Sequence, residues 1–122
     1  MATIWQQAEE LKDEMVERRR DLHRHPETGW TEFRTASMII GELKKLGYDV
    51  KFGADVIDEK SMMGVPSEAE LADYMQRAIS EGADSELVKK MAGGKTGIVA
   101  TLKTDKPGKT VAFRFDMDCN DV

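Results

Sequence analysis

The stretch from Thr31 to Phe52 constrains the fold more than any other. Phe33, Ala36, Ile40 and Leu43 recur at the spacing of one helical face. Lys44 and Lys45 fall in the last turn, where cations suit the helix dipole, and Gly47 stands where a helix stops. Tyr48-Asp49-Val50-Lys51-Phe52 then alternates apolar and polar, as a half-buried strand does. This predicts a helix from about Thr31 to Leu46, a tight turn, and a strand from Tyr48 to Phe52. A helix feeding a strand in this way makes the fold class α/β.

The flanking segments extend the pattern. Ile4, Ala8, Leu11, Met15 and Leu22 form a helical stripe opposite Glu9, Lys12, Asp13, Glu17 and Arg20. Pro26 disfavours a helical His25, so this first helix ends there and His25 to Gly29 form a loop. Ser67 and Glu70 have capping-box spacing, which starts a helix from Glu68 to about Ser80 with Leu71, Tyr74, Met75 and Ala78 on one side. Asp84 caps a shorter helix from Ser85 to Met91, and Gly93-Gly94 closes it. We read residues 54–95 as a helical insertion packed on the outside. Gly97 to Leu102 and Thr110 to Phe115 read as the strands of a hairpin around Asp105-Lys106-Pro107-Gly108. The expected order is α-α-β-(α-α insertion)-β-β. Three strands and two core helices leave a layered domain incomplete and one sheet edge bare, so residues 1–122 read as a portion of a domain.

Composition narrows the functional classes. The 122 residues suit one small domain, and 40% apolar with 34% charged residues fits a folded chain. The net charge of -5 gives no basic excess for nucleic acid, and Arg18-Arg19-Arg20 reads as a solvated helix face. A single cysteine, Cys119, rules out an internal disulfide and suits a reducing compartment. No apolar run approaches the roughly twenty residues of a membrane span, and the first residues lack a signal-peptide pattern. The expected location is the cytoplasm.

Few residues can carry chemistry. Arg114-Phe115-Asp116-Met117-Asp118 places two carboxylates at i and i+2, on one face of a strand and at its carboxyl end. Such a pair can serve a metal site or share a proton, or it can act only as a turn or cap element. His23 and His25 are the only histidines. On a helix they point about 200° apart, so we expect one to face inward, hydrogen-bonded, and the other to be exposed. Cys119 beside Asp118 has its thiolate disfavoured and reads as packed or incidental. Gly93-Gly94-Lys95-Thr96-Gly97 lacks the spacing of a phosphate loop and precedes a strand.

Two blocks in this order are familiar. Residues 19–36, from Arg19-Arg20-Asp21-Leu22-His23-Arg24-His25-Pro26-Glu27-Thr28-Gly29 through Ala36, resemble the opening signature of the aminoacylase/carboxypeptidase-like metal-dependent amidohydrolases. Thr96-Gly97-Ile98-Val99-Ala100-Thr101-Leu102, then Val111-Ala112-Phe113-Arg114-Phe115-Asp116-Met117-Asp118, resemble the next block of that family. The insertion narrows the resemblance to the branch that cleaves the amide between p-aminobenzoate and glutamate.

The resemblance implies the N-terminal portion of a layered α/β zinc-peptidase-like catalytic domain. It implies a metal-assisted amidohydrolase acting on a small N-acyl amino acid, with two divalent metals, zinc or manganese. Asp118 matches the family aspartate that orients a metal-binding group, and Asp116 lies beside the site. No metal ligand is implied within residues 1–122: the ligands and the general-base glutamate are expected beyond Val122, so these residues alone are expected to be inactive. A second hydrolase subunit or a self-dimer is the implied partner, with no nucleic acid and no membrane. Two other readings remain. One is a small binding or regulatory module pairing through its open sheet edge. The other is a small metal-binding protein using His23, His25, Asp116 and Asp118.

Overall fold

The computed structural model describes residues 1–120. Thr3 caps α1 (Ile4–Glu10) through a capping box with Gln6, and α2 (Lys12–Arg24) follows after a break at Leu11. His25 is the C-cap of α2, immediately before Pro26. Helix α3 (Phe33–Lys45) leads to strand β1 (Asp49–Phe52), as the periodicity predicts. Short 3-10 turns at Gly53–Asp55 and Glu59–Ser61 carry the chain to α4 (Glu68–Ser80). Ser67 and Glu70 form the expected capping box of α4, and Asp84 caps α5 (Ser85–Lys90) by accepting the N–H groups of Glu86 and Leu87. Strand β2 (Ile98–Thr101) completes the set.

The core forms where α3, α4 and α5 meet. Phe33, Ala36 and Ile40 of α3 are buried against Leu71 and Ala78 of α4 and Val88 of α5, with Met91 just beyond α5. Strand β1 pairs antiparallel with β2, Val50 opposite Ala100 and Phe52 opposite Ile98. The half-buried faces of Val50, Phe52 and Ile98 lie against the helical core.

Helix α2 is tied down by polar bonds. The Arg34 guanidinium donates to both Asp21 carboxylate oxygens, at 2.9 and 3.1 Å, and its Nε donates to the Glu81 carbonyl at 3.1 Å. One half-buried side chain thus joins α2, α3 and the end of α4. This hydrogen bonding holds the Asp21 carboxyl below the usual range. The Arg18 guanidinium donates to Glu42 at 2.8 Å, and with Lys45 it draws the Glu42 pKa down to about 2.

The single N-terminal helix expected from Ile4 is split in two at Leu11, and the architecture departs from expectation in three further places. Among the described residues the hairpin is absent: Thr110 to Phe115 has no strand partner there, and Val111, Phe113 and Phe115 are exposed. Their alternation marks one strand face, but no layer of the described residues covers it, and β2 pairs with β1 instead. The strand order of these residues therefore stops at two strands. The helices of residues 54–95 do not pack on the outside either, because Leu71, Ala78, Val88 and Met91 enclose the apolar face of α3. Finally, most of the N-terminal stripe stays in solvent, with Ile4, Leu11 and Met15 exposed and only Leu22 half-buried. The bonds to Arg34 and Glu42 hold α2 by its polar groups, with most of that stripe outward.

Candidate functional site

Three segments converge beside the start of α3: the loop of residues 25–32, the turn of residues 93–97, and the tail at residues 116–119. The loop is built from Pro26 onward. Trp30 takes a left-handed backbone conformation, φ 69°, uncommon for a residue with a side chain. Its indole N–H donates to the Met63 carbonyl at 2.9 Å. Thr31 is buried just after it and donates its hydroxyl to the Thr28 carbonyl. Gly94 lies so near that a Cβ there would stand 2.9 Å from the Trp30 carbonyl oxygen.

Two buried acids organise the loop. Helix α3 has no side-chain cap at Glu32, the residue preceding it. Glu27 supplies the cap from further back. Its carboxylate accepts the N–H of Arg34 at 2.8 Å, the N–H of Thr35 at 2.7 Å and the Thr35 hydroxyl at 2.7 Å. A negative charge there also suits the positive end of the helix dipole. Glu32 points inward and accepts the Thr96 hydroxyl at 2.6 Å. Burial pushes the Glu32 carboxyl up; the Thr96 hydrogen bond opposes this, and the charges of Asp118 and Glu27 add to it.

The tail regains contact here. From Lys103 to Asp116 it is exposed. Met117 then packs against the core, and the Cys119 N–H donates to the Glu27 carbonyl at 2.8 Å. Asp118 sits between these anchors, exposed, with its charge felt at Glu32. Asp116 is exposed and accepts a hydrogen bond from the Arg114 guanidinium at 2.8 Å. The two aspartates of the sequence motif therefore differ: Asp118 lies at the loop and Asp116 is engaged by its neighbour. His25 is half-buried with Nδ1 2.8 Å from the Asp21 carbonyl, and His23 is exposed, as the helix geometry predicts. Cys119 is half-buried. The Gly93–Gly97 turn serves as a wall of the loop.

Sequence reasoning missed Glu27, Glu32 and Thr96. The sign for Glu27 was the lack of Ser, Thr, Asp or Asn immediately before Phe33, which leaves the N–H groups of α3 to a more distant acceptor. Glu32 and Thr96 are far apart in sequence, and nothing local marks their pairing.

The raised Glu32 pKa has a consequence for stability. An acid whose folded pKa lies above its unfolded value opposes folding once it ionises. The penalty is absent below the ordinary glutamate range, grows as pH rises, and is complete above the folded value. Glu32→Gln keeps an acceptor for Thr96 and removes the charge. It is expected to gain stability relative to the parent as pH rises from about 4 to about 8. Urea unfolding of both proteins at the two pH values checks this; an equal difference at both would refute it.

Among the described residues, no three His, Cys, Asp or Glu side chains gather closely enough to hold a metal ion. Asp118 and Glu32 do not make a metal cage, so no step through a metal is assigned to these residues. No helix among them is long and apolar enough to cross a membrane.

No family model matches the chain. Individual proteins do. The chain is 50% identical over 113 residues to the indole-3-acetyl-aspartic acid hydrolase of Enterobacter agglomerans, covering 93% of this chain and 26% of that protein. It is 43% identical over 122 residues to one subunit of the p-aminobenzoyl-glutamate hydrolase of Escherichia coli (strain K12), covering 100% of this chain and 28% of that protein. The crystal structure of the aminobenzoyl-glutamate utilization protein from Klebsiella pneumoniae superposes with a TM-score of 0.93 at 45% identity, covering 98% of this chain and 30% of that one. Along its length this chain is thus similar to the p-aminobenzoyl-glutamate and indole-3-acetyl-aspartic acid hydrolases, and it spans about a quarter of their length.

Proposed function

We propose that residues 1–122 are the N-terminal portion of the catalytic domain of a metal-dependent amidohydrolase, with residues 54–95 as a helical insertion in that domain. Its substrate class is an aromatic acyl group joined by an amide to an acidic amino acid, p-aminobenzoyl-glutamate being the first choice. The observation that carries this is the 43–50% identity to two hydrolases whose names share that chemistry. The backbone agreement with the Klebsiella protein supports the same reading.

In this reading Asp118 orients a metal-binding group, and its placement between two anchors suits that task. Asp116 lies beside the site. Two divalent ions, zinc or manganese, supply polarisation of the amide and an activated water when bound. Their ligands come from outside these residues, and the residues alone are inactive. The partner is a second hydrolase subunit, since the Escherichia coli relative is named as one subunit of its enzyme, or a second copy of this chain. The cytoplasm is the location.

The test is the intact mass of the protein expressed from its native gene, with hydrolysis of p-aminobenzoyl-glutamate and indole-3-acetyl-aspartate assayed in added manganese or zinc. A mass several-fold above that of 122 residues, with metal-dependent cleavage, is expected. A product of 122 residues with no cleavage of either compound would overturn the proposal.

A further inference from the structure

The chain on either side of Asp118 is anchored, and one anchor is a residue whose side chain does other work. Glu27 is buried, with only 6% of its surface exposed. Its carboxylate is fixed by three short hydrogen bonds at the start of α3. Its own backbone carbonyl, in the loop that this carboxylate ties to α3, accepts the Cys119 N–H at 2.8 Å. Met117 enters the core on the other side of Asp118. The tail before Met117 is exposed from Lys103 to Asp116, so among the described residues Met117 is the anchor on that side of Asp118.

We propose that Glu27 is a positioning residue for Asp118: locked to α3 by its carboxylate, it holds through its carbonyl the backbone on which Asp118 stands. The consequence for turnover rests on the hydrolase reading; the positional claim does not. The reason for using an acid is geometric. A carboxylate has two acceptor oxygens and satisfies both backbone N–H groups of Arg34 and Thr35 together with a hydroxyl. A glutamine offers one oxygen and must turn an NH2 group toward a donor, so the side chain and the attached carbonyl lose their fixed position. Trp30, three residues on, holds its left-handed backbone in the same loop.

The experiment uses the protein expressed from its native gene, as the parent and as Glu27→Gln, with Thr35→Val as a second variant that removes one of the three bonds without touching Glu27. Hydrogen exchange is read at the Cys119 amide relative to the Ile40 amide in the middle of α3. That ratio separates local release of the tail from a general loss of stability. Glu27→Gln is expected to raise it at least tenfold, and Thr35→Val by a smaller factor. In the hydrolase assay, Glu27→Gln is expected to lower kcat at least tenfold and change KM less than twofold. An unchanged exchange ratio in Glu27→Gln overturns the proposal even if the parent is an active hydrolase. A parent without hydrolase activity but with the tenfold change in ratio overturns the functional reading and leaves the positioning role standing.

Discussion

Glu27→Ala is expected to cost about 3 kcal/mol of stability, a large share of the 5–15 kcal/mol typical of a folded domain. The sum has two parts. Leaving the buried Thr35 hydroxyl without its acceptor costs about 1 kcal/mol. Leaving the Arg34 and Thr35 N–H groups without an acceptor in a buried place costs at least about 1 kcal/mol each, because water reaches them poorly. The bonds removed are at 2.8 and 2.7 Å, and Thr35 is itself buried. Glu27→Gln keeps one acceptor and should cost about 1 kcal/mol. Urea unfolding of residues 1–122, followed by far-ultraviolet circular dichroism, measures both. A loss below about 1 kcal/mol for the alanine variant would show that water or another side chain takes over the cap.

Gly53→Ala should be comparably damaging for a different reason. Gly53 follows β1 with φ 68°, and its N–H donates to the Gly97 carbonyl at 3.3 Å. A Cβ added there would lie 2.7 Å from the Lys90 carbonyl oxygen, at the end of α5. That neighbour is backbone, so it cannot swing aside. The left-handed conformation costs an L-residue about 1 kcal/mol and the overpacking about 2 kcal/mol more. The thermal unfolding midpoint should fall by roughly 10 °C for a chain of this size. Gly47→Ala is the control: φ is 84° there as well, yet no atom lies within 4 Å of the added carbon. It should show the conformational cost alone, about 1 kcal/mol. Equal effects at the two positions would refute the close approach of Lys90.

Much of the local structure was legible because its causes are local. Ser67 and Glu70 stand three residues apart and form the capping box themselves, so α4 begins where the sequence says. Asp84 reaches only the next two or three N–H groups. Pro26 acts on the residue beside it, and α2 yields to His25 as its cap. The stripe Phe33, Ala36 and Ile40 is buried as its spacing requires.

The same reading failed where a partner had to be found. Thr110 to Phe115 has the alternation of a strand, but alternation describes a face and names no neighbour. The neighbour of β2 proved to be β1, across the whole span of α4 and α5. Ile4, Leu11 and Met15 have helical spacing, yet they are exposed, while α2 is held through its polar bonds to Arg34 and Glu42.

For the candidate site the division is sharper. The sequence by itself determined that Asp116 and Asp118 share a motif and that the loop after Pro26 precedes a helix. Only the tertiary structure separated the two aspartates, by docking Met117 and Cys119 on either side of Asp118 while Arg114 engages Asp116. Only it joined Glu32 to Thr96, 64 positions away. Caps and periodicity act over one or two turns of chain and leave their mark in the order of residues. Buried hydrogen bonds between distant segments follow from how the helices pack, and that packing is set by the shapes of many side chains together.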